Sequence, residues 1–376
     1  MKKSLLAVAV AAALPTFAQA QSSVTLYGVM EVAVQYSDAQ ANATIAANTV
    51  SEGEGGLRLV SGQSSGSRFG IRGTEDLGGG LQAVFTIENG LNVDTGAQAD
   101  PSAFWNRQAF VGLAGGWGQL TFGRQYSPLF WSLIPADFAA YTHYNNWAGS
   151  PCLTPQGQCG TQGSAVVQGP FRINNSIAYK SPTFGGLTVY AMYAPGENLV
   201  NSATPGTGSD AVGTGNLFGV AAGWQLGGLY LTAGYHGIDN KSTAATAAGS
   251  VLKDVMGVAA SYKWSSFGVS VGYTMLNYET LNSADPSVSN LLVSLFANIG
   301  PGKLLANVTQ REYQDFIGQR NESALQVGVA YEVPMSKRTN WYVAYGLNDL
   351  SGNQVQNPNS QLDSQNRFAI GLRHFF

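Results

Sequence analysis

The chain has 376 residues with 47 glycines, a mean hydropathy of −0.02 and only 11% charged residues, well under the ~25% of ordinary globular domains. It lacks the apolar runs or helical stripes that a soluble core of this size needs, so its apolar surface must be distributed in another way. The net charge of −3 falls to −5 if Lys2 and Lys3 are removed, because 17 basic residues then oppose 22 acidic ones. Such a balance argues against nucleic acid as a partner.

Residues 1–20 read as a secretory signal, with a basic start at Lys2 and Lys3, an apolar centre from Leu5 to Leu14 and small residues at Ala18 and Ala20. Ten apolar residues are too few to cross a bilayer, which takes ~20. After Ala20 the chain alternates polar and apolar residues with period two. The spacing predicts strands at Val24–Tyr36, Gly66–Thr74, Leu81–Glu88, Trp105–Leu113, Gly118–Tyr126, Ile173–Ser181, Leu187–Ala194 and Gly215–Gln225. It predicts eight more at Gly228–Ile238, Asp254–Trp264, Phe267–Tyr278, Asn290–Asn298, Lys303–Tyr313, Ala324–Val333, Asn340–Asn348 and Asn366–Phe376. Most have the length of a tilted strand crossing a bilayer.

The connections alternate between short turns rich in Gly, Pro, Ser or Asp and longer polar loops. This alternation is the mark of a sixteen-stranded antiparallel transmembrane β-barrel occupying residues 21–376. A soluble sandwich gives no reason for it. Trp117, Trp224, Trp264 and Trp341 fall in or beside short turns, as an interfacial aromatic girdle would place them. Phe368, Ile370 and Leu372 form one apolar face of a last strand that must close the barrel, since an open edge is not tolerated in lipid.

One connection is exceptional. The segment 127–172 is far longer than an ordinary loop, carries Phe130, Trp131, Phe138, Tyr141, Tyr144 and Trp147, and holds both cysteines. Its aromatics need a surface to pack on, and the inner wall of a wide barrel supplies one. Cys152 and Cys159, with six residues between them, are expected to form a disulfide in an oxidising compartment. Other signals carry less. Gly62-Gln63-Ser64-Ser65-Gly66 matches the nucleophile-elbow pattern but lies in a Ser/Gly run entering a strand, without the helix that motif requires. His143, His236 and His374 are dispersed without metal-ligand spacing. Arg72, Arg107 and Arg172 suit either the lumen or a solvated or packed surface, and no cofactor is implied.

Several segments together resemble the general porins of Gram-negative bacteria, in their beta-proteobacterial branch. They are Val24–Tyr36 (VTLYGVMEVAVQY), Ser61–Gly90 (SGQSSGSRFGIRGTEDLGGGLQAVFTIENG), Asn106–Pro128 (NRQAFVGLAGGWGQLTFGRQYSP) and the closing AIGLRHFF. The resemblance covers the mature chain. It implies a homotrimer of barrels in outer-membrane lipid, passing small hydrophilic solutes and inorganic ions by diffusion, with 127–172 folded into the lumen as a constriction loop. It implies wall cations at Arg68, Arg124 and Lys180, with Arg72 on the face of Arg68, and a loop acid at Asp137 opposing them. Arg124 shares strand parity with Leu120 and Phe122, so its lumen position requires a bulge or a buried outer face. Phe376 resembles the signal read by the outer-membrane assembly machinery. Three wall cations against one loop acid predict weak anion selectivity. A substrate-selective barrel channel and a barrel enzyme are the alternatives, and the second would need a Ser–His or acid–His constellation.

Overall fold

The computed structural model describes residues 22–38, 56–101, 103–139, 172–196, 216–239, 250–280, 287–314, 321–351 and 365–376. The expected signal segment 1–20 and the pair Cys152 and Cys159 lie outside the described residues.

The strands are β1 (Ser23–Ser37), β2 (Gly56–Ser61), β3 (Arg68–Gly78), β4 (Leu81–Gly90), β5 (Gln108–Gly115), β6 (Gly118–Tyr126), β7 (Arg172–Lys180), β8 (Leu187–Ala194) and β9 (Asn216–Leu226). They continue as β10 (Leu229–Asp239), β11 (Ser250–Lys263), β12 (Phe267–Thr280), β13 (Ser287–Ile299), β14 (Gly302–Gln314), β15 (Asn321–Pro334), β16 (Thr339–Ser351) and β17 (Gln365–Phe375). From β3 onward each strand pairs antiparallel with the next, and β17 returns to β1 from Val29↔Phe375 to Ser37↔Arg367. Phe376 and Gly28 then exchange two backbone hydrogen bonds, at 3.1 and 3.2 Å. No backbone edge faces lipid along this seam, as the bilayer demands.

Seventeen segments make sixteen barrel strands because β2 and β3 lie end to end against β1. β2 covers Val32–Ser37 of β1, and β3 covers Ser23–Val29. The expected second strand, Gly66–Thr74, is therefore corrected. It begins as far back as Gly56, inside the stretch read as a loop, and is interrupted at residues 62–67. Alternation cannot reveal β2, because a polar Ser/Gly insertion separates it from the apolar run. Later strands also extend beyond their predicted ends toward the long loops, as β11 does from Asp254 back to Ser250. Backbone pairing continues there after the lipid-facing apolar pattern has stopped.

The outer face holds the large apolar side chains, with Val24, Val111, Val220, Val258, Leu291 and Ile370 all exposed. Trp117, Trp224, Trp264 and Trp341 are exposed beside the short turns. The inner face alternates with these and carries small and polar residues such as Thr121, Ser176, Ser270, Ser294 and Asn307.

Candidate pore constriction

After β6 the chain turns into the barrel. Ser127 caps a short helix α1 (Pro128–Leu133), accepting the Phe130 N–H at 3.3 Å, with Pro128 at its first position. A 3-10 turn, Ile134–Ala136, follows. Leu129 and Leu133 lie four residues apart, on one side of the helix. With Ala136 they pack against Tyr230, Val255, Ala259, Leu276, Val288 and Leu292 from β10 to β13. The wall admits them because it carries glycine at the contact. A Cβ on Gly234 would lie 2.8 Å from Leu129 Cδ1, and one on Gly257 would lie 3.0 Å from Leu133 Cδ1. Polar bonds fix the placement. Leu129 N–H donates to His236 Nε2 at 3.1 Å, the Tyr230 hydroxyl donates to the Ser132 carbonyl at 2.8 Å, and Phe138 N–H donates to Ser294 Oγ at 3.4 Å. His236 is thus a loop anchor, a role its isolation in the sequence conceals.

The loop covers one side of the lumen, and a cationic group occupies the wall at β1 and β3–β7. Glu88 on β4 is its centre. Its carboxylate accepts Arg107 Nε at 2.6 Å and the Tyr27 hydroxyl at 3.0 Å, and lies 3.6 Å from Arg68 Nε. Arg107 Nη2 and Arg172 Nη2 both donate to the Tyr126 hydroxyl, at 2.6 and 3.2 Å. Tyr126 also stacks on Phe130 of the loop, with ring centroids 4.1 Å apart, so the arginine group and the loop root are one packed unit. The Arg72 guanidinium lies 5.1 Å from the Tyr27 ring centroid and is exposed. Arg68 and Arg107 meet the Glu88 carboxylate directly, while Arg72 and Arg172 join the group through Tyr27 and Tyr126, so these contacts set four arginines against one carboxylate, a formal surplus of three positive charges.

The sequence-derived site residues fall into different places. Arg68 and Arg72 lie together on the inner face of β3, as parity required. Lys180 also faces inward, 5.9 Å from the Tyr190 ring centroid, but ends β7 beside a short turn, whereas Arg68 opens β3 ten residues from its own turn. The two are not brought together. Arg124 stays opposite Ala109 on the parity of Leu120 and Phe122 despite a bulge at Gly123/Gln125. Its guanidinium is buried, donating to the Asn106 carbonyl at 2.9 and 2.7 Å and to Asn174 Oδ1 at 2.6 Å. That bonding ties the second long loop to β7 rather than presenting charge to the lumen. Asp137 is 4% exposed and caps the Ala139 N–H at 3.0 Å, a local turn bond at the end of the 3-10 segment. Glu88 is absent from the sequence-derived set, although strand alternation from Val84 through Thr86 to Glu88 marks it as inward.

The model of the Gram-negative porin family matches residues 7–353. This chain belongs to that family. Membership and the barrel together place the porin in the outer membrane of a Gram-negative bacterium. It is 36% identical over 195 residues to an outer membrane porin protein of Bordetella pertussis, covering 50% of this chain and 46% of that one. It is 35% identical over 201 residues to outer membrane porin protein 32 of Delftia acidovorans, covering 52% and 50%. The match thus spans about half the length of each of these relatives. With major outer membrane protein P.IB of Neisseria meningitidis the identity is 28% over 384 residues, covering 100% of both chains. Among solved structures, the anion-selective porin from Comamonas acidovorans superposes with a TM-score of 0.74 at 24% identity, over 95% of this chain and 100% of that one. That likeness establishes the barrel fold.

Proposed function

We propose that this porin forms a water-filled channel for passive diffusion of small hydrophilic solutes and ions, as a homotrimer, with a modest preference for anions. The observation that carries the reading is the arginine group on β3–β7, four cations linked through Glu88, Tyr27 and Tyr126, facing a lumen narrowed by a loop docked on the opposite wall. Fixed charge at a narrow point sets which ion sign passes. Charges lining the constriction act on a passing ion within the Debye length, about 8 Å at 0.15 M salt. The preference is therefore for anions despite the chain's net charge of −3.

The deciding measurement is the zero-current potential of purified protein in a planar bilayer under a potassium chloride gradient. The unaltered porin gives an anion-directed potential. Arg68→Glu with Arg72→Glu changes the formal charge of the group from +3 to −1 and reverses the sign. A cation-directed potential from the unaltered protein refutes the assignment.

A further inference from the structure

Between β2 and β3 the ladder on β1 is interrupted in a specific way. Val32 of β1 faces Ser61, and Val29 faces Arg68. Three steps along β1 thus correspond to seven along the facing chain, four more than a regular ladder holds. The surplus is pinched out at its base. Ser61 Oγ and Ser67 Oγ lie 3.1 Å apart, and each donates to the Glu31 carbonyl, at 3.1 and 3.0 Å. Glu31 N–H donates back to Ser67 Oγ at 3.0 Å.

The excluded loop turns into the lumen. Ser64 Oγ donates to Glu332 Oε1 at 3.2 Å, and Arg373 Nη1 donates to Ser64 Oγ and Ser65 Oγ, both at 2.9 Å. Glu332 and Arg373 are themselves paired at 2.9 Å. They face inward, since Val329 and Leu372, on the opposite parity of the same strands, are exposed on the outer face. Glu31 holds the loop from below. Glu31 is 1% exposed, its carboxylate accepts the Tyr342 hydroxyl, and its backbone holds Ser61 and Ser67 at the base of the loop. On the other flank the Gly66 carbonyl accepts Arg68 Nη1 at 2.8 Å. At its far side Ser64 borders the same cavity as Ala139, the last described residue of the long loop.

We propose that Gly62–Gly66 is a second constriction element. It completes the ring that the long loop begins, and it positions Arg68, with Glu31 as the residue that holds it in place. The inference rests on the channel reading above and deepens it. Among the described residues, the long loop packs on the wall from β10 to β13, this loop sits on the wall at β15–β17 and β1, and the arginine-bearing wall lies between them.

The register dictates the test. Replacing the five residues 62–66 by one glycine removes the four surplus residues and leaves a regular ladder on β1. Gly66→Trp adds bulk at the exposed flank beside Ser67, where a new Cβ meets nothing nearer than Arg107 Nη1 at 3.5 Å and the backbone needs no glycine. Single-channel conductance rises in the excised variant, its anion preference falls, and conductance drops in Gly66→Trp. Conductance unchanged by Gly66→Trp, in protein that retains the heat-modifiable gel mobility of a folded barrel, overturns the proposal even if the excised variant does not assemble. Failure of the channel reading is distinguishable, because it would show as absence of conductance in the unaltered protein.

Discussion

Docking of the long loop rests on two leucines, and their removal has a calculable effect. Leu129 and Leu133 are 6% and 2% exposed, both within the cluster on β10–β13. Burial of a leucine is worth about 1.5–3 kcal/mol, so the pair contributes on the order of 3–6 kcal/mol, before the cavity left in the wall adds to the loss. The polar anchors at His236 and Tyr230 each contribute only about 0.5–1.5 kcal/mol net. Leu129→Ala with Leu133→Ala therefore removes more than those two bonds can hold, and the loop leaves the wall for part of the time. The barrel closes through its own ladder and stays folded. Single-channel recording of the double variant is expected to show frequent transitions between conductance levels, with unchanged heat-modifiable mobility on detergent gels. Tyr230→Phe, which loses one hydrogen bond, is the control and stays quiet. Recordings of the double variant as quiet as the unaltered protein would refute the view that apolar packing holds the loop.

Glu88→Gln raises the formal charge of the arginine group from +3 to +4 and strengthens the anion-directed zero-current potential. It also leaves Arg68 and Arg107 without their carboxylate, so the folded protein is lost at lower temperature in a gel-shift melt. Asp137→Asn, by contrast, leaves the zero-current potential almost unchanged, because that carboxylate is buried in its own turn. Unboiled protein migrates at about three times the mass of boiled protein, and native mass spectrometry in mild detergent checks the trimer directly. Deletion of Phe376 removes both terminal hydrogen bonds to Gly28 at the seam between first and last strands, and surface labelling reads the expected fall in outer-membrane level.

The barrel was legible in the sequence because lipid and lumen impose opposite chemistry on alternate residues, and short and long connections impose opposite lengths. Phe69 and Ile71 against Arg68 and Arg72 show both faces within five residues. Period two also assigns the terminal strand and sets Glu88 on the inner face of β4, with Thr86. What alternation does not record is where the chain leaves the ladder. The insertion at residues 62–67 is visible only as the difference between the two registers on β1, and β2 only by its pairing with Val32–Ser37. Likewise Asp137 and Arg124 carry the right charge for a constriction, but a local turn takes up the carboxylate, and a bulge with the Asn106 carbonyl takes up the guanidinium. His236 and Tyr126 acquire their roles from partners distant in sequence, Leu129 on the loop for one, Arg107 and Arg172 for the other. Strand identity follows from the local solvent on each face, which each residue type states by itself. The constriction follows from which long-range partner satisfies each charge, and only the closed barrel brings those partners together.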